Sequence, residues 1–330
     1  MTHPIHVAVA LLLAVPIVAG GCDVPGYDSA KTTSVESQSE ARMLPISTTT
    51  TVPAASTVTS TAAVFTGPVS FDEAEAVYRD KRYEEAFDMF SAYAKDRPDN
   101  AWGRYMQGLS AWKSGRLDDA AAAFAAALEI DPAHEKSLVN LARVYLDQDR
   151  PAEALAQAKQ AAELNPSSGS AFRLIGRAYG ALGDGDAALE AYHRALVVDD
   201  QDAWSMNNLG LVLIQAGRFD EAVPALARAV ELRDGIAMFY NNLGIALERS
   251  GYPGAAAKAF GRALDVDSTY EKAATNLARV TDRVVGAVEE DVDLEFLARL
   301  FVEDIARWRD RPEPVVVEPV EEGSPPITND

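Results

Sequence analysis

Few residues in this chain have the types and spacing that covalent or acid–base chemistry needs. Ser110 and Lys113 form the S-x-x-K pattern of serine acyl-transfer enzymes, but the companion motifs are missing from the sequence. His134 and His193 stand far apart, and the single cysteine, Cys22, is near neither of them. The sequence also lacks a nucleophile elbow, a Gly-rich phosphate loop and an H-E-x-x-H motif. It therefore predicts no catalytic residues, no metal site, no cofactor and no small-molecule substrate.

Another group of residues is suited to non-covalent binding. Asparagines recur at one position of a 34-residue spacing, and arginines recur three residues beyond that position. An amide offers both a donor and an acceptor to an extended main chain, and a guanidinium can hold a carboxylate through two hydrogen bonds. Asparagine is a poor helix former, so its recurrence needs a reason. The residues of this predicted binding face are Asn140, Asn207, Asn208, Asn241, Asn242, Asn276, Arg143, Arg177, Arg279, Trp102 and Trp204.

The elements that carry these residues repeat every 34 positions. Each unit has a small residue in its predicted first helix and an alanine in its predicted second helix. In most units the second helix also has a large side chain and then a second small residue. Only Gly or Ala lets two helix backbones approach closely, because a larger side chain would overpack the crossing. These small first-helix residues are Ala74, Gly108, Ala142, Gly176, Gly210, Gly244 and Ala278.

Glycine and proline mark the ends of the predicted helices. A glycine with positive φ often ends a helix, and proline cannot continue one. The glycines between paired helices are Gly115, Gly183, Gly217 and Gly251. The prolines that follow second helices are Pro98, Pro132 and Pro166.

This pattern resembles the tetratricopeptide repeat (TPR), whose period is 34 residues. The resemblance covers about residues 67–285, but the first unit lacks the usual large apolar residue and the proline is absent from the fourth unit onward. It implies an all-α fold, a right-handed α-solenoid of about six helical hairpins plus a C-terminal capping helix, flanked by disordered segments. The predicted units are 67–100, 101–134, 135–168, 169–202, 203–236 and 237–270, with a partial unit at 271–285.

The resemblance also suggests a place for the predicted binding face. In TPR proteins the first helices line a concave groove, and asparagines at this position resemble ladders that hold a peptide main chain. We therefore expect a peptide or protein partner in the groove. The alternative is that these polar residues only solvate the exterior of the helices.

The N-terminal segment predicts export and a lipid anchor. Residues 7–20 form an apolar run of about signal-peptide length, and small residues lead straight into Cys22. This resembles the lipobox of bacterial lipoproteins, so we predict a signal peptide at 1–21 and lipid attachment to Cys22. The first six residues contain no Lys or Arg, whereas a positive start is expected. An ordinary secretory signal with a chance cysteine is the alternative.

The segments that flank the repeats have distinct compositions. Residues 22–66 are rich in Ser and Thr, which predicts a disordered tether. Residues 286–311 predict an amphipathic helix that caps the open end of the stack. The alternative is that this helix docks on a partner. Its apolar stripe is Leu294, Leu297, Phe301, Ile305 and Trp308. Residues 312–330 are acidic and Pro-rich, which predicts a disordered tail.

The charge of the chain narrows the class of partner. The formal net charge is −20, which argues against nucleic acid and against electrostatic attachment to anionic lipid. Much of the excess lies at the C-terminal end, where residues 286–330 hold 13 acids and 4 basic residues.

Two functions are consistent with these features. The first is a lipid-anchored scaffold on the extracytoplasmic, periplasmic face of the inner or outer membrane, which supports assembly of pilus, secretion or cell-wall machinery. The alternative is a regulatory subunit of a cell-wall-modifying enzyme, or such an enzyme itself. An enzyme would need titratable groups that face each other in a polar pocket, and the sequence identifies none. Self-assembly through the C-terminal helix is a third, minor reading.

Overall fold

A computed structural model describes residues 68–284 and 292–310 of the chain. Within these two ranges the structure consists of fourteen α-helices and no strand. In chain order, α1 to α14 are Phe71–Arg79, Tyr83–Asp96, Ala101–Lys113, Leu117–Ile130, Glu135–Asp147, Pro151–Leu164, Gly169–Leu182, Gly185–Val198, Ala203–Gln215, Phe219–Leu232, Ala237–Arg249, Pro253–Val266, Glu271–Val284 and Leu294–Arg309.

The first twelve helices pack as six hairpins, in which each first helix contacts the second helix that follows it. Every second helix also contacts the first helix of the next hairpin, and α13 continues the stack as a first helix. The core runs along the stack as three neighbouring clusters, which the partly buried Leu128 and Tyr179 join, as expected when each unit buries its apolar face on its neighbours. This architecture confirms the predicted α-solenoid.

The small residues of the first helices lie where paired helices cross. A Cβ atom added to Gly244 would lie 2.5 Å from the Phe260 ring, and one added to Gly176 would lie 2.6 Å from the Tyr192 ring. Both rings are fully buried. In the third unit the crossing instead pairs two buried alanines, Ala142 and Ala158, so a larger first-helix residue accompanies a smaller second-helix residue.

The turns within the hairpins adopt the predicted left-handed backbone. All four predicted glycines have φ between 73° and 91°. In the first and third units the same position is held by Lys81, with φ 62°, and Asp149, with φ 58°. The turn geometry is thus kept in all six units, although a side chain at this φ is disfavoured.

The second helices end at the same repeat position with or without a following proline. Asp199 follows α8 and accepts a hydrogen bond from the Gln201 amide at 3.0 Å, and Asp267 follows α12 and accepts one from the Thr269 amide at 2.9 Å. Such Asx turns end a helix by offering the backbone an alternative hydrogen bond. They explain why α8 and α12 end at the usual repeat position although no proline follows them.

The C-terminal helix α14 is amphipathic as predicted, but it does not lie over the open end of the stack. It packs on α10 and α8, the second helices of the fifth and fourth units. Its residues Ala298, Phe301 and Ile305 are buried there. The predicted end-capping position is therefore corrected: the outer surface of α8 and α10 offers this stripe an apolar partner two units back from the end.

Several predictions fall on residues outside the described ranges. They are the signal peptide at 1–21, the lipid attachment at Cys22, the tether at 22–66 and the tail at 312–330. Among the helices that the structure does describe, none combines the length and the apolar character that crossing a membrane requires.

Candidate functional site

The first helices of successive units lie side by side and form one face of the molecule. Neighbouring first helices contact each other from α1 to α13, whereas second helices contact mainly first helices. The elements on the inner side of a curved stack are closer together, so the first helices line its concave face. We call the face formed by α3, α5, α7, α9, α11 and α13 the groove.

The N-terminal part of the groove carries a cluster of aromatic rings and cations. Trp102 is 41% exposed and stacks on Tyr105 with ring centroids 5.0 Å apart. The His134 ring lies 5.2 Å from both of these rings, and Lys136 Nζ lies 4.9 Å from the centre of the Trp102 ring. We call Trp102, Tyr105, His134 and Lys136 the aromatic–cation cluster. An exposed indole held rigidly by its neighbours is the kind of anchor that dominates protein interfaces.

Two predicted residues hold this cluster in place. Asn140 Nδ2 donates to the Tyr105 hydroxyl at 3.4 Å and to the Lys136 carbonyl at 2.8 Å. Arg143 Nη1 donates to Asn140 Oδ1 at 3.3 Å. Arg143 thus lies next to the cluster, where a guanidinium can meet an acidic ligand.

Burial changes the ionisation of two members of the cluster. Desolvation raises the pKa of Tyr105, although Arg143 and the Asn140 hydrogen bond oppose that change. Desolvation also lowers the pKa of His134, with Asp131 acting against it and Lys136 in the same direction. Both groups are therefore neutral near pH 7, and the positive charge of the cluster comes from Lys136 and the adjacent Arg143.

The middle of the groove is polar but closed. Arg173 Nη1 pairs with Asp202 Oδ2 at 2.6 Å, and the Ser205 hydroxyl donates to the same oxygen at 2.6 Å. Asp202 also caps α9 by accepting from the Trp204 and Ser205 amides. Arg177, predicted as a ligand contact, is only 1% exposed. The Arg173–Asp202 pair therefore joins α7 to the start of α9.

The C-terminal part of the groove contains paired amides. Asn242 Nδ2 donates to Asn207 Oδ1 at 2.9 Å, and Asn276 Nδ2 donates to Asn241 Oδ1 at 2.9 Å. Each bond joins the sixth position of one unit to the fifth position of the unit before it, and Asn140 makes the same connection to Tyr105. Asn140, Asn242 and Asn276 therefore link neighbouring first helices, whereas Asn208 accepts a hydrogen bond from Asn207 within its own helix.

Four of the asparagines predicted to belong to the binding face are buried. Asn207, Asn208, Asn241 and Asn242 are at most 4% exposed, because neighbouring first helices close over them. A buried amide must find a partner, and the fifth position of the unit before supplies one to Asn242 and to Asn276. Contact between these amides and a ligand stays a prediction.

The remaining predicted residues divide between buried and exposed sites. Trp204 is 8% exposed and packs edge-to-face on Phe239 at 5.0 Å, so it belongs to the core. Arg279 is exposed and donates to Asn276 at 2.9 Å and to the buried carboxylate of Glu248. It holds the last first helix to the one before, while its exposed edge faces solvent.

Sequence reasoning missed Tyr105, His134, Lys136 and Arg173 as members of the groove. A signal was present for two of them, since Tyr105 and Arg173 hold the fifth repeat position that Asn207 and Asn241 also hold. His134 and Lys136 had no such signal, because their roles depend on the position of the Trp102 ring.

The fold and the groove together define a class: an α-solenoid of helical hairpins whose first helices form one continuous face. Models of the tetratricopeptide repeat match residues 71–135, 105–169, 167–235 and 201–269. These matches span more than half of the chain, which therefore belongs to the TPR family. The family consists of modules that bind peptides or proteins.

Individual relatives share less with this chain. The Hsp70-Hsp90 organizing protein of Triticum aestivum is 31% identical over 93 residues, which are 28% of this chain and 16% of that protein. The match thus spans well under a quarter of the length of the curated relative.

Several solved structures are similar to parts of this chain. The APC/C hetero-tetramer Cut9-Hcn1 has a TM-score of 0.56 at 17% identity, over 63% of this chain and 41% of that chain. YrrB, a TPR protein described as having an unusual peptide-binding site, has a TM-score of 0.45 at 21% identity, over 56% of this chain and 96% of that chain. MamA has a TM-score of 0.45 at 27% identity, over 52% and 94%.

Proposed function

We propose that this protein is a lipid-anchored TPR scaffold on the extracytoplasmic side of a membrane, which binds a peptide or protein partner in its groove. By this proposal it supports assembly of a cell-envelope complex, such as pilus, secretion or cell-wall machinery. The observation that carries the binding part is the aromatic–cation cluster. It is the place in the groove where a large aromatic side chain stays 41% exposed and a cation lies beside it.

The chemistry of the cluster indicates how a partner would be held. The Trp102 ring offers apolar area at little cost in side-chain entropy, because Tyr105 already fixes its position. Lys136 and Arg143 favour a ligand with a carboxylate close to an apolar or proline residue. The closed middle of the groove supplies a rigid support, which is what a scaffold needs to present one partner to another.

Support for the anchor comes from the sequence alone. The apolar run at 7–20 leads through small residues into the single cysteine of the chain. Two acyl chains would hold the protein on a membrane stably, at about 0.8 kcal/mol for each buried methylene. Replacing Cys22 by Ala should move the protein from the membrane fraction to the soluble fraction and abolish labelling by an alkyne fatty acid. Unchanged fractionation with unchanged labelling would reject the anchor.

The groove is tested with Trp102→Ala in the full chain. Truncating a central aromatic anchor costs at least about 2 kcal/mol of binding, which is roughly thirtyfold in affinity. The partner should therefore be lost from a crosslinked pull-down out of cell-envelope extract. Phe296→Ala is the matched control, because Phe296 is also a large exposed aromatic residue, at 48%, but lies on α14 outside the groove. Equal recovery of the same partners by both variants would exclude the groove as the binding site.

A further inference from the structure

The first helices of the second to fourth units have the opposite charge to the chain as a whole. The chain has a formal net charge of −20. The helices α3, α5 and α7 together hold six basic residues, Arg104, Lys113, Lys136, Arg143, Arg173 and Arg177, and two acidic residues, Glu135 and Asp147. This part of the groove is therefore basic, which favours an acidic ligand.

The lysine of the aromatic–cation cluster is placed to meet such a ligand. Lys136 is exposed, and its ammonium group lies over the Trp102 ring. In residues 68–284 and 292–310 no carboxylate forms an ion pair with it. The carboxylate next to it in sequence, Glu135, instead accepts hydrogen bonds from Asn165 Nδ2 at 3.1 Å. The charge of Lys136 is therefore available to a carboxylate from outside these ranges.

Residues 312–330 of the same chain have the complementary chemistry. They hold five acidic residues, five prolines and no basic residue. A carboxylate stands directly before a proline at Glu313–Pro314 and again at Glu318–Pro319, and nowhere else in the sequence outside the described ranges. Proline-rich segments dock on grooves lined with aromatic rings, because their extended backbone loses little entropy on binding. A proline on the indole of the cluster would place the adjoining carboxylate beside the lysine.

The end of α14 lies at the same edge of the stack as the cluster. Arg309 contacts Asp200, in the connection from α8 to α9. His134 lies in the corresponding connection from α4 to α5, two units earlier. Helices in contact lie about 8–10 Å apart, so these connections are roughly 20 Å apart. Residues 311–330 can span up to about 65 Å, so the segment is long enough to reach the cluster.

We propose that residues 312–330 occupy the aromatic–cation cluster of their own chain, with a proline ring on Trp102 and the adjoining carboxylate on Lys136. The inference rests on the proposed groove function, because it names the segment that this part of the groove binds. A segment held by a short flexible linker has an effective concentration of about millimolar, so even a weak contact keeps the cluster occupied.

The test is carbodiimide crosslinking of the full chain, followed by digestion and mass spectrometry. The reagent joins an amine to a carboxylate that already lies against it. Lys136 should therefore be joined to Glu313 or to Glu318. Lys159 is the matched control, because it is also exposed and its Nζ lies 5.1 Å from the centre of a tyrosine ring, but it stands on the second helix α6 outside the groove. It should not be joined to residues 312–330.

Two pairs of proline substitutions separate contact with the ring from attraction between charges. Pro314→Ala with Pro319→Ala keeps every carboxylate but removes the rings that meet Trp102, so crosslinks to Lys136 should fall at least about fivefold. Pro325→Ala with Pro326→Ala removes two prolines that do not adjoin an acidic residue, and it should leave the crosslinks unchanged. All four positions lie outside the described helices, so the solenoid is the same in both variants.

Three results would overturn the proposal. The first is a wild-type chain in which Lys136 is joined to residues 312–330 no more often than Lys159 is. The second is crosslinking that Pro314→Ala with Pro319→Ala does not reduce. The third comes from an equal mixture of ¹⁵N-labelled and unlabelled chains, where crosslinks within one chain join peptides of the same label. Crosslinks that join labelled to unlabelled peptides would assign the cluster to the segment of a second copy.

The outcomes distinguish this inference from the groove function on which it rests. If Lys136 is not joined to residues 312–330 but Trp102→Ala loses the partner in the pull-down, the groove binds a partner and only the resident segment is rejected. If Lys136 is joined to the segment and Trp102→Ala recovers the same partners as the Phe296→Ala control, the inference holds and the cluster serves its own chain alone.

Discussion

At the scale of single residues, two glycines differ sharply in the space that is available to an added Cβ atom. Adding a Cβ at Gly244 brings it 2.5 Å from Phe260, a fully buried ring, whereas a Cβ at Gly261 meets nothing within 4 Å. Gly244→Ala should destabilise the fold by about 1–3 kcal/mol through overpacking. Gly261→Ala should stabilise it by about 0.5–1 kcal/mol, because alanine favours a helix interior. Urea unfolding of both variants measures the difference.

The two glycine variants control for each other, since each adds one methyl group to a helix. Equal changes in unfolding free energy would show that the crossing tolerates a Cβ. The close approach of the backbones would then have no bearing on why small residues recur at this position.

His134 predicts a dependence of stability on pH. Burial lowers the pKa of His134 below its ordinary value of 6.5, so the folded state favours the neutral ring. The stability that this provides is present above pH 6.5 and is lost as pH falls through the folded pKa. His134→Asn keeps a side-chain acceptor at the start of α5 but removes the titration.

The wild-type chain should therefore lose stability relative to His134→Asn between about pH 7 and pH 5. Urea midpoints of both proteins across this range give the difference. A constant difference would mean that protonation of His134 does not oppose folding.

At the scale of helices, the amide pairs predict coupling between neighbouring units. Removing one partner leaves a buried amide without its hydrogen bond, which costs about 1–3 kcal/mol. Asn207→Ala and Asn242→Ala should each destabilise the fold by this amount. Because the two side chains bond to each other, the double variant should lose less than the sum, with a coupling of about 0.5–3 kcal/mol.

Asn207 and Asn276 provide the control pair, because each bonds to a different partner. Their changes should add to within about 0.5 kcal/mol. If all the single variants change the free energy of unfolding only slightly, the amide pairs do not hold the units together. The predicted role of the asparagines as ligand contacts would then be the better interpretation.

The helices themselves could largely be predicted from the sequence, because their signals are local. The spacing of Gly176, Gly210 and Gly244 predicts helix crossings, and Gly183 and Gly217 predict the turns between helices. Local signals could not predict hydrogen bonds between side chains of different units. Asn242 was recognised as recurrent, but its partner Asn207 lies 35 residues earlier, and only the stacking of first helices brings the two together.

At the scale of the whole molecule, the position of α14 could not be predicted for a related reason. The stripe that contains Phe301 and Ile305 shows which side of α14 is buried, but it does not show what covers that side. The open end of the stack and the outer surface of α10 both offer apolar area. The structure assigns α14 to the second, which leaves α13 at the end of the stack.

The arrangement of α14 has a mechanical consequence. Units of a solenoid touch only their neighbours, so a pulling force separates them one interface at a time. Because α14 contacts both α8 and α10, it adds a second connection between the fourth and fifth units. Under tension applied at the two ends of the described repeats, the units on either side of this bridged pair should separate first. Optical-tweezer traces of the wild type should show a late rupture that Phe301→Asp removes, because the fourth and fifth units stay together the longest.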